Sequence, residues 1–206
     1  DFRRMSYKPK PLPLTFACAA TESKLFPSDS GNEIALCGRS NSGKSTLINA
    51  LANQKKLAKT SNTPGRTQSI NFFHLENDTG KKIIDLPGFG YAKASKQDQN
   101  SWAKLILSYL EKRAALTDLI LIMDMRHPFQ NKDLEFLSLC ESLNLPIHLV
   151  LTKADKLNNK ETQTAIKVVS EKMVTYPAIV DSLAFSATKK IGLETLLNKI
   201  KLLLEV

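Results

Sequence analysis

Eight consecutive residues, Gly38-Arg39-Ser40-Asn41-Ser42-Gly43-Lys44-Ser45, place two glycines, a lysine and a hydroxyl at the spacing G-x-x-x-x-G-K-[ST]. That combination suits a polyphosphate. Glycines let the backbone curl so that its N–H groups point inward at phosphate oxygens, and a helix opening near Lys44 adds its positive end. Lys44 would reach the β- and γ-phosphates, and the Ser45 hydroxyl would ligate Mg²⁺. Thr46, the next residue, extends the candidate contact. An ordinary glycine turn is the bland alternative, and the flanking strand and helix patterns argue against it.

Three later segments supply what such a loop lacks. Asp85-Leu86-Pro87-Gly88 follows an apolar run, so the Asp85 carboxylate can hold Mg²⁺ through a water while the Gly88 N–H meets the γ-phosphate. D-x-x-G means little alone; its position after the phosphate loop gives it value. Thr152-Lys153-Ala154-Asp155 selects the base. An aspartate accepts hydrogen bonds from guanine N1–H and its exocyclic amine, whereas adenine N1 offers only a lone pair. Two charge-assisted bonds of about 1.5–3 kcal/mol each give discrimination of roughly 10²–10⁴. Phe185-Ser186-Ala187 could present backbone N–H groups to the guanine carbonyl, although Ser186 reads equally well as a helix cap. The loop Thr63-Pro64-Gly65-Arg66-Thr67, continued by Gln68 and Ser69, carries the remaining candidates. A threonine there completes Mg²⁺ coordination only when the γ-phosphate draws the loop inward, which is how a loop becomes a switch. Thr67 is preferred to Thr63 because it follows the Pro-Gly turn and adjoins the next strand. Lys44, Thr67 and Gly88 are therefore the candidates to act at the reacting phosphate, and Ser45, Thr67 and Asp85 to hold the metal.

The elements around these segments alternate. Residues 33–37 form a short buried strand, and 44–52 a helix with Leu47, Ile48 and Leu51 on one face. Residues 55–69 form a long polar loop; 70–76 and 81–85 form a hairpin turning at 77–80. Helices follow with Trp102, Leu105, Ile106, Tyr109 and Leu110 in register, then over 133–143, then with Ile166, Val169 and Met173, and finally with Leu193, Leu196, Leu197, Ile200 and Leu203. Between them lie apolar strands at 119–123, 147–151 and 179–185. This pattern predicts an α/β fold of three layers, a mostly parallel sheet covered by helices on both faces with one antiparallel edge hairpin. Residues 14–20 read as an edge strand. A basic, Pro-rich lead covers 1–13, leaving 14–206 as one domain. Ligands in such sheets bind at the carboxyl ends of the strands, where every motif above falls.

Charge and composition bound the partners. The 29 basic residues outnumber the 20 acidic ones, for a net +9, and no Asp or Glu occurs over 34–75. Such a segment attracts polyanions, either a nucleotide or a nucleic-acid backbone, although a solvated lysine surface explains Lys55 and Lys56 as well. No run approaches the roughly 20 apolar residues of a membrane span. Arg3 and Arg4 lead into prolines rather than an apolar stretch, which argues against a signal peptide and for the cytoplasm. A first residue of Asp points to a trimmed or tagged start. Cys18, Cys37 and Cys140 form no C-x-x-C pair and read as small buried side chains.

In this order and spacing the motifs resemble the translation-factor-related P-loop GTPases. More narrowly, the phosphate loop, Pro64-Gly65-Arg66-Thr67-Gln68 with Asn71-Phe72-Phe73, and Asp85-Leu86-Pro87-Gly88-Phe89-Gly90-Tyr91-Ala92 resemble the bacterial EngB (YihA/YsxC) family. So do Thr152-Lys153-Ala154-Asp155, with Thr where most GTPases carry Asn, and Asp124-Met125-Arg126-His127. The resemblance implies a GTP/GDP-binding, Mg²⁺-dependent GTPase acting in assembly of the large ribosomal subunit, with effects on division and septation; a monomer without a membrane partner is the expectation, and the sequence leaves the oligomeric state open. Ribosomal RNA would then meet the basic surface at Lys55–Lys59, Lys93, Lys96, Lys189 and Lys190. Phe89 stands where many GTPases carry the glutamine that orients the attacking water, so slow turnover of about 10⁻⁴–10⁻² s⁻¹ is expected. Related proteins with such a substitution use an Asn at the position of Asn41 to hold a monovalent cation, which makes K⁺ a candidate; a structural loop bond is the alternative. Rival readings are an ATP-using P-loop enzyme, a GTPase at a membrane surface or another partner, and an RNA-binding module with a vestigial site. No Arg-rich lid or lipidation motif supports the first two, and intact Lys44, Ser45, Asp85 and Asp155 oppose the third.

Overall fold

Long apolar strands need covering on both faces, and the chain does this by returning each strand through a helix. A computed structural model describes residues 10–58, 69–90 and 95–206. Strands β1 (Leu14–Ala20), β2 (Asn32–Gly38), β3 (Ile70–Leu75), β4 (Asp78–Asp85), β5 (Leu116–Asp124), β6 (Ile147–Thr152) and β7 (Ile179–Ala184) form one seven-stranded sheet. Its order is β1-β3-β4-β2-β5-β6-β7. Helices α1 (Lys44–Ala52), α2 (Lys96–Leu110), α3 (Asn131–Ser142), α4 (Asn159–Thr175) and α5 (Leu193–Leu204) cover it.

The strands from β4 through β7 pair in parallel, β3 runs against β4, and β1 runs against β3 on the outer edge. The predicted α/β class, the hairpin and the edge strand thus agree with the structure. The hairpin bends more tightly than expected. Leu75 pairs with Asp78, so Glu76 and Asn77 alone take the turn, and Asp78 and Thr79 belong to the strand. Two cores result. Leu47, Ile48 and Leu51 of α1 and Leu196, Leu197 and Ile200 of α5 pack on Ile34, Leu36, Ile120 and Ile122. Cys37, Leu119, Leu121 and Leu149 face the other way, toward Ile106, Tyr109, Leu137 and Cys140. Within α4 the buried positions are Ala165 and Val169, while Ile166 is 45% exposed. Its place on the apolar stripe is corrected: Ala165 occupies the buried position and turns its neighbour outward.

Polar groups pin the amino ends of the strands. Glu33 is wholly buried, takes Arg113 Nε and Nη2 at 2.9 and 2.6 Å, and accepts from Tyr109 Oη at 2.8 Å. Burial and the Glu33 carboxylate push the Tyr109 phenol well up. Farther along, His148 on β6 bridges Asp118 on β5 (3.1 Å) and Asp181 on β7 (3.0 Å), and Lys199 of α5 pairs with Asp181. Burial alone would lower the His148 pKa, but the two carboxylates prevail and raise it. A raised histidine stabilises the fold fully below its unfolded pKa of about 6.5 and loses that contribution as pH rises through the folded value. Urea unfolding should therefore show the stability difference between wild type and His148→Gln to be larger at pH 6 than at pH 9. An equal difference at both would mean that the bridge carries no charge.

Candidate functional site

The carboxyl ends of β2, β4, β6 and β7 bring the sequence motifs to one edge of the sheet. Gly38 closes β2 where no side chain fits: a Cβ there would lie 2.5 Å from the Ile122 carbonyl and 2.6 Å from Ser42 Oγ. The chain then turns through Asn41 (φ 64°) and Gly43 (φ 98°), left-handed conformations that asparagine and glycine tolerate, and enters α1 at Lys44. Ser40 N–H donates to the Phe89 carbonyl at 3.0 Å and Ser42 N–H to the Arg39 carbonyl at 3.1 Å. Those two donors brace the loop. Helix geometry leaves the first N–H groups of α1 without intrahelical acceptors, as an anion cradle requires. Ser45 is half-buried in that first turn and Thr46 exposed.

Asp85 ends β4 beside this loop. Its Oδ1 is paired with Lys44 Nζ, and its Oδ2 accepts from Asn71 Nδ2 at 3.2 Å. Ser69 Oγ in turn donates to Asn71 Oδ1 at 3.1 Å, so Asp85 is linked to the end of the candidate switch segment. Gly65, Arg66, Thr67 and Gln68 lie outside the described residues, as do Thr63 and Lys59. Within Asp85-Leu86-Pro87-Gly88 the four residues divide. Gly88 faces the loop: a Cβ would lie 3.4 Å from Ser40 N. Leu86 is fully buried and donates its N–H to the Leu36 carbonyl, and the Pro87 carbonyl accepts from Trp102 Nε1 at 3.0 Å. Core packing and the indole thus fix Leu86 and Pro87, the two middle residues of the segment expected to meet the nucleotide, beside the loop. Phe89 is buried against Phe136, stacked at 5.1 Å, and edge-on to Trp102 at 6.0 Å.

Thr152 stands at the end of β6, its hydroxyl sharing one proton between the carbonyls of Ser42 and Met123 (3.1 Å). A buried β-branched donor thereby does the tethering. Lys153, with φ 60°, lays its Nζ 2.9 Å from the Asn41 carbonyl and 2.9 Å from Asp124 Oδ2. Burial works against ionisation of Asp124, but hydrogen bonds from Arg126 and Lys153 hold its carboxyl far below the ordinary range. Asp124 and Arg126 stand out in the sequence only through the family resemblance; the contact of Asp124 with Lys153 spans distant segments and leaves no spacing signal.

At the last strand, Ser186 Oγ donates to Asp155 Oδ1 at 2.6 Å, lowering the Asp155 pKa, and accepts from Lys189 N–H at 3.1 Å. Ser186 therefore orients the Asp155 carboxylate, the candidate base-selecting group. Phe185 N–H donates to Leu151 and Ser186 N–H to Ile191, while the Phe185 carbonyl accepts from Ala154 N–H. Those two N–H groups are spent on the sheet and the turn, which corrects the expectation that they meet guanine; Ala187 is the remaining candidate of the three.

A phosphate loop at the end of a buried strand, an aspartate on the neighbouring strand and a Thr-Lys-Ala-Asp at a third strand end define a P-loop GTPase. The sequence profile of a family described as 50S ribosome-binding GTPase matches residues 33–153. Probable GTP-binding protein EngB of Haemophilus influenzae is 45% identical over 185 residues, 90% of this chain and 89% of its own. The EngB of Histophilus somni is also 45% identical, covering 90% of each chain. A crystal structure of a probable GTP-binding protein EngB superposes with TM-score 0.66 at 27% identity, over 84% of this chain and 98% of that one. Era bound to MgGDPNP and a 16S ribosomal RNA fragment shares the fold, with TM-score 0.63 at 23% identity over 83% of this chain and 56% of that one. The chain belongs to the EngB family of GTP-binding proteins.

Ser186→Ala tests the orienting bond. Loss of one bond to a charged group should weaken GDP binding by on the order of 1 kcal/mol, about fivefold, and narrow the preference over ADP in a competition titration. Unchanged preference would leave Ser186 as a cap only.

Proposed function

We propose that this chain is a slow GTPase that serves as a nucleotide-controlled switch in assembly of the large ribosomal subunit, with consequences for cell division and septation. The observation that carries this reading is the match of residues 33–153 to a family described as 50S ribosome-binding GTPase. The net charge of +9 favours a ribosomal RNA or ribonucleoprotein partner. Among the described residues no helix is long and apolar enough to cross a membrane, and the proposed setting is a monomer, with residues 14–206 as its G domain, in the cytoplasm.

In this reading GTP lies over the loop 38–45 with guanine against Asp155. Two oxygen donors of the kind Mg²⁺ prefers, the Ser45 hydroxyl and the Asp85 carboxylate, belong to neighbouring element ends. Ser40 and Ser42 also bury hydroxyls that meet no partner among the described residues, so the site has polar capacity to spare. Ser45 and Thr67 would hold the ion, with Asp85 acting through a water. Bound there, Mg²⁺ neutralises charge on the β- and γ-phosphates. Lys44 would leave Asp85 for those phosphates, and the Gly88 N–H would meet the γ-phosphate. Phe89, held by Phe136 and Trp102, orients no water. Turnover is accordingly slow, on the order of 10⁻⁴–10⁻² s⁻¹, until a monovalent cation near Asn41 or a docked partner supplies what is missing.

Two outcomes check this. GTP hydrolysis in K⁺ should exceed that in Na⁺, with the difference abolished by Asn41→Ala; equal rates in both salts exclude the cation. Sedimentation of ribosome fractions should place the protein with large-subunit particles when a non-hydrolysable GTP analogue is present and free of them with GDP. A distribution indifferent to nucleotide would overturn the assembly switch.

A further inference from the structure

A cavity of about 230 Å³ lies beside the phosphate loop, between Arg39–Ser42, the end of β5 with the segment after it, and the first turn of α3. Two charged side chains that line it each leave one polar atom unsatisfied. Arg39 Nε and Asp133 Oδ1 are both buried and meet no hydrogen-bond partner among the described residues. Asp133 as a whole is 2% exposed, and its other oxygen accepts from Gln130 N–H at 2.9 Å to cap α3. An uncompensated half-carboxylate in that position is costly unless something uses it.

Arg39 is well placed to be that use. Its backbone bridges Phe89 in parallel fashion. Its side chain runs under Gly90, where an added Cβ would lie 3.3 Å from Arg39 Nε and 3.9 Å from Lys132 Cβ. One side chain of the phosphate loop thus lies against the segment after Gly88 and lines the same cavity as Asp133 of α3. We propose that Arg39 is a positioning residue that locks the phosphate loop to the Gly88–Gly90 segment, and that the Asp133 carboxylate sets the lock by drawing the guanidinium toward α3. The inference rests on the reading that residues 38–45 cradle the phosphates.

The charge on Asp133 decides whether the lock is set. Burial raises its pKa to about 6, against smaller opposing effects from the Gln130 N–H and the Arg39 charge. The other charged or titratable groups around the cavity are Asp124, Arg126, His127 and Lys153, with Lys132 on α3 itself. Asp124 is committed to Arg126 and Lys153. The nucleotide phosphates titrate in the same range as Asp133, so the test must subtract their contribution.

The measurement is GDP affinity by fluorescence titration from pH 5 to pH 8, in wild type, Asp133→Asn, Arg39→Gln and the double variant. Wild type should bind about fivefold more tightly than Asp133→Asn at pH 8, within the usual range of coupling between sites, and the two should converge at pH 5, where Asp133 is protonated. In the Arg39→Gln background, Asp133→Asn should have no further effect. A wild-type to variant ratio that is constant with pH, or an Asp133→Asn effect that survives Arg39→Gln, overturns the proposal. If Asp133→Asn does not fold, Arg39→Gln decides alone: its ratio to wild type must show the same convergence at low pH. Lys44→Ala separates this inference from its premise, because GDP affinity indifferent to Lys44 would overturn the phosphate-loop reading itself.

Discussion

The ion pair between Lys44 and Asp85 is the constraint to which the other parts of the site answer. It joins the first residue of α1 to the last residue of β4, with side chains only 13% and 9% exposed. Charges so far from water persist only with good geometry and further hydrogen bonds. Asn71 supplies one of these. For the two groups to meet, β2 and β4 must be parallel neighbours in a fixed register, and Leu36 pairs with Asp85 to set it. The loop 38–43 must then fold back over the strand end, which Gly38 and Gly43 permit. A triphosphate with Mg²⁺ offers each partner a stronger counter-charge than the other does, so the pair is also the contact that nucleotide binding would exchange.

Around that pair, separate segments converge through bonds that brace the loop. Phe89 exchanges two backbone bonds with it, N–H to Gly38 at 3.3 Å and carbonyl from Ser40 at 3.0 Å. Thr152 and Lys153 hold it from the base side. Trp102 holds Pro87 and packs on Phe89. The position that carries a water-orienting glutamine in many GTPases is here part of the hydrophobic core, and the slow turnover proposed above rests on that packing.

The chemistry-bearing residues were legible because their spacing is local: Lys44 with its glycines, Asp85 after an apolar strand, Asp155 after another. The strand and helix pattern followed from apolar runs of the right length, and parallel pairing from their alternation. What stayed hidden depends on residues far apart in the chain. Ser186 reaches Asp155 across 31 positions and Arg113 reaches Glu33 across 80, and neither leaves a periodic signal. The Phe185 and Ser186 N–H groups looked available because nothing local shows that Leu151 and Ile191 already accept from them. Ile166 looked like a core residue because helical periodicity alone does not say which of two adjacent apolar positions, Ala165 or Ile166, faces the sheet.

The central claim is that the Lys44–Asp85 contact gives way to Mg²⁺ and triphosphate, making the site sensitive to which nucleotide is present. Calorimetric titration of GDP and a non-hydrolysable GTP analogue, with and without Mg²⁺, tests it in wild type and Asp85→Asn. The account predicts that Mg²⁺ strengthens binding of the analogue far more than that of GDP in wild type, and that Asp85→Asn loses this difference. Equal Mg²⁺ dependence for both nucleotides, or a difference that survives in Asp85→Asn, would contradict it.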